Sequence, residues 1–265
     1  MSTVRLEGVE KAFGSRPVLD GVDFAVEAGE FVAMIGPSGC GKSTVFNLLA
    51  GLEVPDRGAI TVRGDSPVSH SHCAYMPQKD LLFPWRSVLD NTSLGLEVAG
   101  VARAEARARA AALFPTFGLA GFEAARPSQL SGGMRQRAAL LRTVVQEREV
   151  LLLDEPFGAL DSLTRTEMQT WLQDVRGRYR WTVLMITHDI REAVFLADRV
   201  VVLSARPARV CRQVDVGLAR PRTLSMVTAP EFAAVEHQLI EVLHEQSRRA
   251  LAQQEMAAHQ EAPQS

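Results

Sequence analysis

The run Glu30-Phe31-Val32-Ala33-Met34-Ile35, passing straight into Gly36-Pro37-Ser38-Gly39-Cys40-Gly41-Lys42-Ser43-Thr44, constrains this chain more than any other stretch. A near-continuous apolar run marks a strand buried on both faces. It stops at Gly36, and a helix is expected from near Lys42 to about Ala50. The loop between them fits the spacing G-x-x-x-x-G-K-[ST], whose glycines let the backbone curl so that its N–H groups face phosphates. Lys42 then places a point charge on the β- and γ-phosphates, and the Ser43 hydroxyl can ligate Mg²⁺.

Further strands flank this unit. Val4, Leu6 and Val9 fall near alternation, and Val22, Phe24 and Val26 alternate cleanly with polar partners. Residues 59–62 and Cys73-Ala74-Tyr75-Met76 read as two more. From about Ser87 to Gln129 the chain becomes rich in Ala, Arg and Leu, with helices broken at Gly100, Pro115, Gly118 and Pro127. Arg103, Arg107 and Arg109 lie there beside Glu105 and many alanines, as a solvated helix face does. Strand and helix then alternate: strands at 150–153, 181–186 and 200–203, and helices at 164–178 and 190–197. Such alternation implies a mostly parallel sheet covered on both faces. The expected fold is α/β, a P-loop NTPase core with an N-terminal antiparallel β subdomain and an inserted α-helical lobe at about 87–146. This domain would span 1–229. A C-terminal helix from about Pro230 to Met256 would follow, then a polar, disordered tail from Ala257 to Ser265.

A second phosphate element lies in Leu130-Ser131-Gly132-Gly133-Met134-Arg135-Gln136-Arg137. Paired glycines at a helix start allow close backbone approach, and the free N–H groups there favour an anion. Wrapping a single ATP with both elements of one subunit is hard. Next, Leu151-Leu152-Leu153-Asp154-Glu155-Pro156 ends an apolar strand on two carboxylates. Burying a bare carboxylate is costly, and a metal ion supplies the compensating charge. Asp154 would hold Mg²⁺, which keeps part of its water shell, and Glu155 would polarise an attacking water as general base.

In combination, these motifs resemble the nucleotide-binding subunit of an ATP-binding cassette (ABC) transporter, from about Val4 to Val214. The resemblance implies further roles. Gln78 matches the glutamine that contacts Mg²⁺ and the attacking water and senses the membrane partner. His188, in Ile186-Thr187-His188-Asp189, matches the histidine on the γ-phosphate, and Asp161 the loop that couples two sites across a dimer. Phe13 fits the aromatic position that stacks on adenine, where many relatives have Tyr. Two copies, or one copy and a paralogous ATPase subunit, would pack head to tail. Each ATP would then lie between one loop at 36–44 and the partner's Ser131-Gly132-Gly133. The segment Lys79-Asp80-Leu81-Leu82-Phe83-Pro84-Trp85-Arg86 would expose Leu, Phe and Trp to a transmembrane permease subunit. That segment, with Gly-Gly-Met-Arg-Gln-Arg, resembles the nitrate/sulfonate/taurine-type importers, whose group includes importers of bicarbonate and of pyrimidine precursors. A solute-binding protein would act indirectly. The expected place is peripheral, on the cytoplasmic face of the inner membrane.

Two other classes compete: a soluble ABC-class ATPase acting on ribosomes or DNA, and a P-loop small-molecule kinase. The chain holds one cassette in 265 residues, has no sustained heptads, and carries a formal charge of -2, so nucleic acid is not an expected partner. A kinase would leave the Ser-Gly-Gly helix and Glu155 without a role. Cys40, Cys73 and Cys211 are too widely spaced for a disulfide framework. His70-Ser71-His72-Cys73 invites a metal reading, but no second ligand pair is near, and a polar loop entering a strand is the plainer reading.

Overall fold

The computed structural model describes residues 2–64, 72–179 and 181–261. The N-terminal half opens as a three-stranded antiparallel sheet in which β1 (Ser2–Phe13) lies between β2 (Arg16–Glu27) and a third strand at Arg57–Val62. The alternating residues place Val4, Leu6, Val22, Phe24 and Val26 on its buried face. Between β2 and that strand run β3 (Phe31–Ile35) and helix α1 (Lys42–Leu49), so the Arg57–Val62 strand is β4.

The second sheet has six strands. Its members are β3, β5 (Cys73–Met76), β6 (Val150–Asp154), β7 (Thr182–Ile186), β8 (Arg199–Leu203) and β9 (Val210–Asp215), in the order β5-β6-β7-β3-β8-β9. All neighbours are parallel except β8 and β9. β3, β6 and β7 are buried at every position, which explains their unbroken apolar sequence. The pleat divides β3 between two cores. Phe31, Ala33 and Ile35 join one with Phe114, Phe117, Leu140 and Phe157; Val32 and Met34 join the other with Val45, Phe46 and the antiparallel sheet.

The inserted lobe holds α2 (Val88–Thr92), α3 (Leu94–Val98), α4 (Arg103–Leu113) and α5 (Gly132–Val144). It shares the first core with the sheet, so it is continuous with the body of the domain. Gly100 and Gly118 take φ of +89° and +62°, ending helical runs where the sequence places breaks. Arg103 and Arg107 both reach Asp90, and Arg109 pairs with Glu105, so these arginines bind their own lobe. After the lobe come α6 (Ser162–Tyr179), α7 (Ile190–Leu196) and α8 (Pro230–Glu261).

Two expectations need correction. β9 is a strand absent from the sequence reading: Cys211, Arg212 and Gln213 are all exposed, so this antiparallel edge lacks apolar alternation. The C-terminal helix continues through Glu261, where a disordered tail was expected from Ala257. Residues 262–265 lie outside the described residues.

Because β3 is flanked by β7 and β8, the carboxyl ends of β3, β6 and β7 adjoin one another. Ligands of open α/β sheets bind along that edge.

Candidate nucleotide site

The loop after β3 feeds α1 without a side-chain cap and without an acidic residue in the first turn. The first N–H groups of α1 therefore keep their capacity for an anion. Gly41, at the N-cap, holds φ +124°, and a Cβ there would lie 2.9 Å from Leu19 Cδ2, so a side chain is excluded twice over. Lys42 is buried, and its Nζ donates to Gly36 O at 2.9 Å and Pro37 O at 3.0 Å. Cys40 turns its thiol inward, and burial pushes its pKa up, against the opposing pull of Lys42. Gly36, Pro37 and Cys40 thus shape the loop from behind. Ser38, Gly39, Gly41, Lys42, Ser43 and Thr44 face a cavity of about 430 Å³, whose other walls are Glu155, Ile186, His188 and Arg206.

Asp154 ends β6 as a buried carboxylate and accepts the Tyr75 hydroxyl at 3.2 Å. Burial raises its pKa, and the neighbouring charge of Glu155 adds to this; hydrogen bonds from Tyr75 and Ser43 oppose it. Burial and the Asp154 charge in turn push the Tyr75 phenol upward. Tyr75 is a site residue the sequence reading missed, since in a strand an aromatic reads as core.

Glu155 sits in the left-handed region at φ +45°, a conformation that disfavours a side chain by about 1 kcal/mol or more. Its N–H donates to Ile186 O at 2.9 Å and its carbonyl accepts Gly158 N–H at 3.1 Å, which holds the turn. The turn aims the carboxylate so that Oε2 accepts Gln78 Nε2 at 2.7 Å and lies 3.4 Å from His188 Nδ1. Three residues from three strand ends thus meet at one oxygen.

Behind His188, Thr187 and Asp189 shape the turn into α7. Asp189 N–H donates to the Thr187 hydroxyl, and the Asp189 carboxylate caps α7 by accepting Glu192 N–H at 3.1 Å. Glu192 is buried and accepts Gln169 Nε2 at 3.2 Å, and among the described residues its Oε1 has no hydrogen-bond partner. Burial, then the Asp189 charge, pushes its carboxyl up to about 8.

The remaining expected residues lie elsewhere. Phe13 is exposed at the end of β1 with Lys11 Nζ 5.3 Å from its ring centroid. Ser131 caps α5, its hydroxyl accepting Met134 N–H at 3.2 Å. Neither it nor Gly132 or Gly133 is among the residues walling the cavity at the 36–44 loop. A Cβ on Gly133 would lie 2.7 Å from Thr164 Cγ2, so α5 and α6 meet through this glycine. Asp161 accepts the N–H groups of Leu163 and Thr164 and the Thr164 hydroxyl, capping α6, and these bonds hold its carboxyl below the usual range.

The 79–86 segment departs from expectation at one residue. Leu81 and Trp85 are 58% and 67% exposed, but Leu82 is only 7% exposed and belongs to the main core. Its burial follows from the turn at Leu81, φ +45°, which sends adjacent side chains to opposite sides. Arg142 of α5 holds that turn, donating to Leu81 O at 2.8 Å and Asp80 O at 2.5 Å. Phe83 packs on Trp85, ring centroids 5.1 Å apart. Of the other metal candidate, His70 and Ser71 lie outside the described residues, while burial pushes the Cys73 thiol up to about 12.

Residues 19–158 match the family model described as ABC transporter. The chain belongs to this family. An ABC transporter relative, the aliphatic sulfonates import ATP-binding protein SsuB 1 of Mesorhizobium japonicum, is 49% identical over 217 residues, 82% of this chain and 80% of that one. The formylaminopyrimidine import ATP-binding protein ThiZ of Halalkalibacterium halodurans is 45% identical over 202 residues, covering 76% and 79%. Among solved structures, the dimeric bacterial ABC transporter cassette MJ0796 matches with a TM-score of 0.69 and 28% identity, over 82% of this chain and 100% of that one. As an ABC transporter cassette, the chain binds and hydrolyses ATP. Among the described residues, no helix is long and apolar enough to cross a membrane.

Proposed function

We propose that this chain drives import of a small solute by hydrolysing ATP in a head-to-tail dimer, with Glu155 as the base. The convergence of Gln78 and His188 on Glu155 Oε2, at the wall of the phosphate cavity, carries this reading. The carboxylate is held where a water beside the γ-phosphate can give up its proton, and Gln78 and His188 orient it. Lys42 and the N–H groups of the loop bind the β- and γ-phosphates, and Phe13 stacks on adenine. The residues fit Mg²⁺ as an ion shared with the nucleotide. Asp154, buried and hydrogen-bonded by the Ser43 hydroxyl, offers oxygen ligands, and among the described residues there is no all-protein metal cage. Ser43, Asp154 and Gln78 would hold the ion, which neutralises phosphate charge when bound.

The second phosphate element is supplied by the partner copy or a paralogous subunit. Ser131 and its glycines stand apart from the chain's own phosphate cavity, which favours service in trans. Gln78 leads directly into the exposed Leu81 and Trp85, the surface proposed to take the permease at the cytoplasmic face of the membrane. The relatives named for sulfonates and a formylaminopyrimidine suggest a cargo of that size, delivered by a solute-binding protein.

The test is phosphate release by the purified chain with Mg-ATP across a range of protein concentrations. A specific rate that rises with protein and is lost in Glu155→Gln is expected. A rate independent of concentration would refute the dimeric site. In the reconstituted complex, ATPase stimulation across sulfonates, oxyanions and pyrimidines then reads the cargo.

A further inference from the structure

The loop joining β8 to β9 reaches the phosphate cavity with a cation that belongs to none of the motifs above. This loop is rigid. Ala208 N–H donates to Val18 O at 2.8 Å, Asp20 N–H to Ala208 O at 3.0 Å, and Ser204 N–H to Arg209 O at 2.9 Å, so its backbone is stitched to β2 and to itself. Its two arginines differ. Arg209 points away from the cavity onto the Asp20 carboxylate, with Nη2 2.5 Å from Oδ2. Arg206 walls the cavity beside Ser38 and Gly39, and donates Nη2 to Gly39 O at 2.6 Å. Among the described residues no carboxylate lies within ion-pair distance of it.

A guanidinium aimed at this loop, with only an amide carbonyl as partner among the described residues, has unused capacity. Its planar fork suits phosphate oxygens, and charge-assisted pairs of that kind are roughly twice as strong as neutral ones. The motif lysine stands in the same relation to the loop: Lys42 donates to Gly36 O and Pro37 O, and it too walls the cavity. Both cations are near enough to the Cys40 thiol to favour its anion, so their fields overlap inside the loop. Against them, Glu155 is the carboxylate on the cavity wall, and it faces the strand-end side with His188.

We propose that Arg206 is a nucleotide-binding residue, a second cation that pairs with the polyphosphate from the β8–β9 side of the loop. This rests on the ATP reading of the cavity. It adds to that reading a contact made by a loop the phosphate-binding motif does not contain. The bonding partner is a phosphate oxygen, so the contribution should vanish for a ligand without phosphates.

Affinities for Mg-AMP-PNP and for adenosine are to be measured by titration calorimetry and competition for wild type, Arg206→Met, Arg206→Lys, Arg206→Gln and Lys42→Ala. Arg206 is exposed, so each variant should keep the wild-type melting temperature within about 2 °C. The expected result is that Arg206→Met weakens AMP-PNP about 10-fold, with adenosine unchanged, and raises KM for ATP while kcat stays within about 2-fold. Arg206→Lys should recover most of the affinity because it restores the charge, and Arg206→Gln should not. Full rescue by Gln would mean that Arg206 only braces Gly39 O and would overturn the proposal, as would wild-type affinity in Arg206→Met or an equal loss for adenosine. If wild type binds AMP-PNP no better than Lys42→Ala does, the ATP reading itself falls, and the role of Arg206 with it.

Discussion

Glu192→Gln should make the protein more stable at high pH and somewhat less stable at low pH. Glu192 is buried, in contact with Gln169, and beside the Asp189 charge, with Arg165 the nearby cation. Its carboxyl ionises at about 8 in the fold, against an ordinary value of 4.5. Between those two values the unfolded chain has released the proton and the folded one retains it. Stability therefore falls as pH rises through this window and levels off above the folded value. At 1.36 kcal/mol per tenfold change, the full window corresponds to about 5 kcal/mol, an upper limit if water can reach the unpaired Oε1. Glutamine avoids that penalty but brings an amide N–H into the place of Oε1, at about 1–3 kcal/mol if it finds no acceptor. The amide cost does not vary with pH, so the variant should be about 2–4 kcal/mol more stable than wild type at pH 9 and about 0–2 kcal/mol less stable at pH 5, a relative gain of up to about 4 kcal/mol across the window. Urea unfolding at pH 5, 7 and 9, followed by tryptophan fluorescence, measures this. A difference between the two proteins that stays constant across pH would refute the reasoning, because a purely steric effect has no reason to follow proton release.

Three further outcomes are expected. Glu155→Gln should bind ATP but hydrolyse it at least about 10²-fold more slowly, read as phosphate release in a single turnover. Leu82→Ala should lower stability by about 2–4 kcal/mol in urea titration, whereas Trp85→Ala, two-thirds exposed, should change it by less than about 0.5 kcal/mol. Gly133→Ala should destabilise by about 1–3 kcal/mol, because its Cβ meets Thr164 Cγ2 at 2.7 Å; adding Thr164→Ser removes that methyl and should restore most of the loss in a double-mutant cycle.

Where the chain repeats a physical rule, its sequence was enough. The doubly buried β3, β6 and β7 show as unbroken apolar runs, and the loop at 36–44 shows through glycines that its geometry requires. Site features made by tertiary approach leave no such trace. Tyr75 reaches Asp154 across β5 and β6, and Arg206 arrives at Gly39 from a loop far along the chain. β9 stayed hidden because its exposed residues have no reason to alternate. Leu82 misled for the opposite reason: its hydrophobic neighbours Leu81 and Trp85 do face outward, and only the left-handed turn at Leu81 separates them from it. Asp161 has a local task, capping α6, that the motif reading did not anticipate.

The turn at Leu81 also decides how far this surface can be treated as a module. If 79–86 takes the permease as proposed, relatives named for different solutes invite grafting of that segment from one chain to another, to redirect an ATPase to a new membrane subunit. In this chain such a graft would transplant more than an exterior. Leu82 is anchored in the main core, and the carbonyls of Asp80 and Leu81 are gripped by an arginine of α5, the helix that begins at the Ser-Gly-Gly. A donor segment would have to bring a residue that fits the Leu82 socket and a backbone that meets Arg142. A swap confined to Leu81 and Trp85 leaves socket and grip intact, so those two positions are where retargeting should begin.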